Sequence, residues 1–250
     1  MQYLLLSKLK SFVIGFASVN LFWYIAHYVV SKNVLPNPIL VYRNIPSLIS
    51  SQVFTHLSYS LFRIFLGVII AMFLGLLIGI FCANNNLVSK ILNPFIYFTY
   101  PIPKIALLPA IMLLFGLRET SKIIMIVLII IYPVIITVRD AVRDIPKDVY
   151  HMFQCFGAEK ITLFISVTLP CAFSSILSTI RIALGTAISI LFFTEVYGTR
   201  YGMGFFIMDA WTRISYLEMY SGIVVLSLLG FIMFVAIDII EDIFLKWKRI

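Results

Sequence analysis

Long apolar stretches separated by short polar segments dominate the pattern of this sequence. A helix needs roughly 20 apolar residues to cross a bilayer. Runs that are long and unbroken, rather than short and alternating, favour helical spans over β-strands. We therefore predict an all-α membrane protein that forms one domain over residues 1–250. Its six transmembrane helices are predicted at 11–31, 54–83, 91–116, 121–138, 170–197 and 218–244.

The third predicted span differs from the others because prolines interrupt it. Pro94, Pro101, Pro103 and Pro109 fall within it, and Lys104 lies among them. Irregular backbone at membrane depth is tolerated only where protein or water satisfies its polar groups. We expect this segment to border a cavity or an interface rather than lipid.

Glycines and prolines indicate helix packing or loops in other segments of the chain. Gly75 and Gly79 in the second span form a small-xxx-small pair that is suited to close helix packing. The segment near 32–53 contains Pro36, Pro38 and Pro46 and is interpreted as an irregular outer loop. The glycine-rich segment 198–217 is interpreted as a second, flexible outer loop.

The composition agrees with the pattern of spans. Hydrophobic residues make up 62% of the 250 residues, charged residues 12%, and the mean hydropathy is +1.05. A soluble domain is about 45–50% apolar and about 25% charged. One membrane domain thus uses nearly the whole length, and we expect no soluble catalytic domain. Three cysteines are interpreted as free reduced thiols: Cys82, Cys155 and Cys171.

The net charge of +8 would also suit a nucleic-acid-binding protein. The basic residues, however, stand mainly at the ends of the predicted spans, as the positive-inside rule expects. Ten of them fall on the face that carries both termini and the 139–169 loop, and six fall on the other. This distribution predicts two cytoplasmic termini, a lipid environment and no nucleic-acid partner.

The loop between the fourth and fifth spans contains a short amphipathic helix. Its bulky apolar residues stand at i, i+3, i+4 and i+7 and share one stripe: Val149, Met152, Phe153 and Phe156. Asp148 is placed to cap its start and Gly157 to end it in a left-handed turn. An apolar stripe on a cytoplasmic loop packs either on the bilayer surface or in a groove of a partner protein.

This loop resembles the cytoplasmic loop of bacterial binding-protein-dependent ABC importer permeases. That family's pattern is Glu-Ala-Ala, three residues, Gly, nine residues, Ile, any residue, Leu-Pro. Gly157 fits, Val167 stands at the Ile position, and Leu169-Pro170 fits. The Glu-Ala-Ala position holds His151-Met152-Phe153, whose bulkier side chains alter the detail of the partner contact.

The resemblance extends over most of the chain. The second span is similar to the family's second span, and two further segments resemble the nitrate/sulfonate/taurine-type subgroup of these permeases. The three segments read HLSYSLFRIFLGVIIAMFLGLLIGI, YPIPKIALLPAIMLLFGLRETSKI and YGMGFFI. The resemblance implies the type I, MetI-like fold, a bacterial inner-membrane location, and ATP-driven import of a small anionic or heterocyclic solute.

The resemblance also implies partners. The loop helix would be a coupling helix that docks on a separate ATPase, and a second copy of the chain would complete a homodimer. An extracytoplasmic substrate-binding protein would dock on the outer segments near 32–53 and 198–217. The chain lacks the Gly-x-x-x-x-Gly-Lys-Ser/Thr phosphate loop, so we expect ATP and Mg²⁺ on the partner and no cofactor here. The implied ATPase contacts are Val149, Tyr150, Met152, Phe153, Phe156, Gly157, Ala158 and Glu159.

Two charges within the fifth span are candidates for the translocation path. Arg181 lies about three helical turns past Pro170, and an intramembrane charge is by default a functional hypothesis. The alternatives are a structural pair with a carboxylate or a side chain that extends to the headgroups. Glu195 lies near the outer end of the span and is interpreted mainly as a solvated helix-end charge. Lys104 and Arg63 are interpreted as paired or extended to the headgroups.

Other chemistry has less support in the sequence. His27, His56 and His151 are scattered and are interpreted as structural histidines, so no metal site is predicted. We find no nucleophile–base pair and therefore predict no enzyme activity. The competing hypothesis is an ion-coupled secondary transporter, which needs a carboxylate within a span. Asp238, near the inner end of the sixth span, is the acidic candidate that we consider for that role.

Overall fold

The computed structural model describes residues 2–30, 34–48 and 53–245 of the chain. Helices account for nearly all of these residues, together with a 3-10 turn at Lys104–Leu107 and a π-helical turn at Phe164–Thr168. The α-helices are α1 Gln2–Val29, α2 Pro38–Leu48, α3 Phe54–Asn84, α4 Asn86–Thr99, α5 Leu108–Phe115, α6 Glu119–Arg143, α7 Lys147–Cys155, α8 Lys160–Leu163, α9 Leu169–Val196, α10 Met203–Thr212 and α11 Tyr216–Phe244.

Four helical segments are long and apolar enough to cross a membrane. They are Phe54–Asn84, Glu119–Arg143, Lys160–Val196 and Tyr216–Phe244. Asn86–Thr99 and Lys104–Phe115 make a fifth candidate if the pair, which is bent by 89°, counts as one span. The predicted first span falls on α1, which is not among the candidates found in the described ranges. The count of six spans therefore stays a prediction.

Helices α3 and α6 pack closely because glycines on α3 face branched side chains on α6. A Cβ atom added at Gly75 would lie 2.6 Å from Val134 Cγ1, and one at Gly79 would lie 2.7 Å from Val138 Cβ. These distances are too short for real Cβ contacts, so the two backbones approach as only glycine permits. The prediction of close packing at this glycine pair is confirmed.

Helix α6 packs against both α3 and α9 and forms the centre of the core. Its buried residues include Ile130 and Val134, and α9 contributes the buried Ile180 and Leu184. Large apolar side chains on the periphery, such as Phe73 of α3, are more than half exposed. An apolar periphery around an apolar core suits a protein whose surroundings are lipid.

The first segment that we predicted as a loop is mostly helical in its described part, residues 34–48. Helix α2 occupies Pro38–Leu48, and the Ile39 amide donates a hydrogen bond to Asn37 Oδ1 at 2.9 Å. Pro38 stands at the first helical position, where its missing N–H is not needed. Pro46 lies inside the helix near its end. The loop prediction was wrong because a proline at a helix start favours the helix.

The second predicted loop is also mostly helical. Helix α10 spans Met203–Thr212 and buries Met203, Phe206 and Ile207. A Cβ atom at Gly204 would lie 2.5 Å from the Phe192 carbonyl oxygen of α9. The glycine here permits close packing of α10 on α9, whereas the sequence pattern was interpreted as flexibility.

Candidate coupling and transport sites

Helix α7 joins the end of α6 to α8 and lies on the surface. Pro146 precedes it with a ψ of 136° and makes no side-chain cap, and Asp148 lies within the first turn. The predicted capping role of Asp148 was therefore wrong, because proline already directs the chain into the helix. Gly157 ends the helix with a φ of +79°, and its amide donates to the Gln154 carbonyl at 2.9 Å. That left-handed ending was predicted.

The apolar stripe of α7 is partly open to the surroundings. The exposed fraction is 53% for Met152 and 86% for Phe156, whereas Val149 and Phe153 are half-buried. No α7 residue is buried. The stripe therefore presents apolar surface that nothing else in the described part of the chain covers.

A hydrogen bond links α7 to the start of α9. The Tyr150 hydroxyl lies 3.0 Å from Thr168 Oγ1, at the end of the π-helical turn that leads into α9. Of the remaining predicted contact residues, Ala158 is half-buried and Glu159, which precedes α8, is exposed. Helix α7 is thus connected to α6 through the chain and to the start of α9 through Tyr150.

A buried ion-pair cluster lies at the opposite end of α6. The Arg63 side chain of α3 is fully buried, and its Nη1 donates to Glu195 Oε1 at 2.6 Å. Its Nε and Nη2 donate to the two carboxylate oxygens of Glu119 at 2.5 and 2.7 Å. One guanidinium therefore joins α3 to the first residue of α6 and to the last turn of α9.

Glu195 is completely enclosed by donors. Besides Arg63, it accepts hydrogen bonds from Ser60 Oγ and from the Gly204 amide, both at 2.8 Å. A Cβ atom at Gly202, which has a φ of +133°, would lie 2.4 Å from Glu195 Cδ. The interpretation of Glu195 as a solvated helix-end charge was wrong. Its partner Arg63 lies 132 positions away, and the only signal in the sequence was an arginine within an apolar span.

Arg181 has carboxylate partners on α11. It forms ion pairs with Asp238, 2.6 Å away, and with Glu241. This geometry is the structural-pair alternative that the sequence left open, and it also engages the acidic residue on which the ion-coupled hypothesis relied. A place for Arg181 or Glu195 on the translocation path stays a prediction.

The break in the third predicted span borders a groove of about 550 Å³. Tyr100 and Lys104 line it from the break, Tyr132 from α6, and Thr179 from α9. The Lys104 ammonium donates to the carbonyls of Thr99 and Tyr100 and lies 4.4 Å from the centre of the Tyr132 ring. The segment therefore borders a groove, which is one of the two expected alternatives, and its separation from lipid stays a prediction.

Two of the three histidines have backbone partners. His27 Nδ1 lies 2.5 Å from the Leu35 carbonyl oxygen, and His56 Nδ1 lies 3.1 Å from the backbone of Gly202. His56 thereby holds the start of α10 against α3. Both contacts are of the structural kind that the sequence predicted.

Comparison with known families decides the class of protein. A family model described as "Binding-protein-dependent transport system inner membrane component" matches residues 75–250. The chain belongs to this family. Members are permease components of ABC importers rather than enzymes, and a separate subunit hydrolyses ATP. The predicted family resemblance is thus confirmed.

Individual relatives of the permease cover most of both chains. The putative aliphatic sulfonates transport permease protein SsuC of Bacillus subtilis is 31% identical, over 88% of this chain and 80% of its own length. The taurine transport system permease protein TauC of Escherichia coli is 31% identical, over 91% and 86%. The formylaminopyrimidine transport permease protein ThiX of Halalkalibacterium halodurans is 29% identical, over 94% of each chain.

A solved structure shares the fold of the permease. A chain of the MetNI methionine ABC transporter, in an inward-facing conformation, superposes with a TM-score of 0.55 at 18% sequence identity. The match covers 79% of this chain and 96% of that one. At this identity the likeness concerns the fold alone, and it agrees with the predicted MetI-like architecture.

Proposed function

We propose that this permease imports a small anionic or heterocyclic solute and that α7 is its coupling helix to the ATPase. The relatives carry names for transport of aliphatic sulfonates, taurine, nitrate and formylaminopyrimidine, all of which are small solutes of these two kinds. Two identical copies with six spans each would surround a central path. Both termini and α7 would lie in the cytoplasm, and the binding protein would dock at the opposite face.

The single observation that carries the coupling role is the exposed apolar stripe of α7. Burial of a large apolar side chain contributes about 1.5–3 kcal/mol, so Met152 and Phe156 would stabilise a complex when a partner covers them. In the sequence the helix lies between α6 and α9, the two central helices of the core. It is connected to α6 by a short chain segment and to the start of α9 by the Tyr150–Thr168 contact, so a partner that moves α7 would act on both helices. The proposed contacts are Val149, Tyr150, Met152, Phe153, Phe156, Gly157, Ala158 and Glu159.

Reconstituted uptake tests the mode of transport. Proteoliposomes that contain the permease, its ATPase and its binding protein would be offered ethanesulfonate, nitrate and a formylaminopyrimidine. We expect ATP-dependent accumulation of at least one of these solutes. Uptake that follows a proton or sodium gradient and needs no ATPase would instead support the ion-coupled transporter.

Co-purification tests the docking surface. Phe153→Asp combined with Phe156→Asp places two carboxylates on the stripe, and we expect the ATPase to be lost while the permease remains in the membrane. Ile214→Asp is a matched control, since Ile214 is 70% exposed and lies in the turn before α11. Retention of the full complex by the double variant would contradict docking through α7.

A further inference from the structure

The groove at the broken span lies at the middle of the long helices. Tyr132 lies at the centre of α6, and Thr179 and Ile182 lie near the centre of α9. Lys104 enters the groove from the break between α4 and α5. If α6 and α9 span the bilayer, the ammonium group therefore lies at mid-depth, where a charge is costly unless it is paired or serves a function.

Lys104 has no carboxylate partner among the residues that the structure describes. Its ammonium group contacts two backbone carbonyls and the face of Tyr132. Arg63 and Arg181, in contrast, each have two carboxylates. The two arginines are thus neutralised within the fold, and the positive charge of Lys104 is not.

The ammonium group also has one donor that no oxygen accepts in the described part of the chain, although the Tyr132 ring lies close to it. A lysine has three N–H donors, and the carbonyls of Thr99 and Tyr100 accept two of them. The third is available to a ligand in the groove. Close by, the hydroxyls of Thr137 and Thr179 lie 3.0 Å apart and offer further polar contacts.

A second groove provides a contrast. It has a volume of about 600 Å³, lies between α9 and α11, and is lined by apolar side chains and two serines. The hydroxyls of Ser189 and Ser227 donate to carbonyls of their own helices, at 2.9 and 2.8 Å. This groove has no charge in its lining, so of the two only the Lys104 groove is suited to an anion.

We propose that Lys104 binds the anionic group of a small organic anion in this groove, while the tyrosine rings and Ile182 contact its organic part. The proposal rests on the proposed import function and names the solute class and the site. It assigns to Lys104 the solute contact that the sequence suggested for Arg181, which is absent from the lining of the groove.

Thiol labelling tests the site without knowledge of the solute. The background is the full-length permease with Cys82, Cys155 and Cys171 changed to alanine and with Ile182→Cys in the groove. The probes are two methanethiosulfonate reagents, one with a sulfonate group and one with a trimethylammonium group. The measured quantity is the ratio of their reaction rates at the introduced cysteine.

We expect the anionic reagent to be favoured with Lys104 in place. In Lys104→Met, loss of one nearby unit charge in water should slow the anionic reagent about fivefold and speed the cationic reagent about fivefold, so the ratio should fall by roughly 25-fold. Lys104→Arg should keep the ratio. Lys90→Met is the matched control, because Lys90 is exposed on α4 and lies outside the groove. An unchanged ratio in Lys104→Met would contradict the proposal.

Two further outcomes are decisive. Failure of both reagents to label Ile182→Cys and Thr186→Cys would show that water does not reach the groove, and would overturn the proposal. A wild-type complex that does not import ethanesulfonate, the organic anion among the offered solutes, would contradict the proposed solute class but not the charge preference of the groove. The two failures are therefore distinguishable.

Discussion

At the scale of single residues, burial of the Arg63–Glu195 ion pair determines how strongly a substitution of either residue lowers the stability of the permease. Both side chains are fully buried, and each also contacts polar groups outside its own helix. A buried ion pair is weak evidence for net stability, because desolvation offsets the attraction. Removal of one partner is different, since the other charge then stays buried and unpaired.

We expect Arg63→Met to destabilise the permease by about 3–5 kcal/mol, seen as a lower thermal unfolding midpoint of the purified protein. Arg213→Met is the matched control, because Arg213 also joins two carboxylates, Asp209 and Glu218, but is half-exposed. Surface pairs contribute little, so that variant should unfold near the wild-type temperature. Equal shifts in the two variants would contradict the importance of burial.

Arg181 requires a test that separates structure from transport. Arg181→Met alone removes a cation that pairs with both Asp238 and Glu241, and we expect lower stability and lower uptake. The triple variant with Asp238→Asn and Glu241→Gln removes the whole ion cluster. If the triple variant recovers both stability and uptake, the role of Arg181 is structural. If it recovers stability alone, Arg181 has a place on the translocation path.

At the scale of elements, the close approach of α3 and α6 depends on glycine. A Cβ atom at Gly75 would overlap Val134, as the distances above show. We expect Gly75→Val to destabilise the permease by about 1–3 kcal/mol through overpacking, again measured by thermal unfolding. Gly15→Val on α1 is the control, since nothing lies within 4 Å of a Cβ atom there. The smaller substitution Gly75→Ala should also lower the stability, and Val134→Ala should restore part of the stability lost in that variant.

The connection from α7 to α9 is testable through a single hydroxyl. Tyr150→Phe removes the contact with Thr168 but keeps the aromatic ring. A hydrogen bond contributes about 0.5–1.5 kcal/mol, so we expect the ATPase to stay bound while less solute is imported per ATP hydrolysed. Thr168→Val should have the same effect, and the double variant no more than either single one. If the amount of solute imported per ATP hydrolysed is unchanged, the contact between Tyr150 and Thr168 does not transmit movement.

At the scale of the whole molecule, a native cysteine reports the orientation. Cys155 at the end of α7 is exposed, whereas Cys82 is buried. If α7 lies in the cytoplasm, a membrane-impermeant thiol reagent should label the ATPase-free permease in inside-out vesicles and not in right-side-out vesicles. Because Cys171 is partly exposed, the experiment uses a Cys171→Ala background, in which Cys155→Ser should abolish the signal. Labelling from the outside would reverse the proposed topology.

Much of the fold could be predicted because hydrophobic patterning is local. The α7 helix was predicted from the spacing of Val149, Met152 and Phe153. The break in the third span was predicted from its prolines. The helices α2 and α10 could not be predicted, because proline and glycine are also typical of loops and only their packing shows which role they have. At Gly204 the residue permits contact with α9 rather than a turn.

The sequence by itself determined the class of protein, the apolar helices and the amphipathic helix between α6 and α9, because each depends on neighbours a few positions away. Only the tertiary structure decided which charges are neutralised. Arg63 meets Glu195 across 132 positions, and Arg181 meets Glu241 across 60. No local pattern encodes such pairs, since they depend on how the helices pack, and the same packing leaves Lys104 without a carboxylate among the described residues.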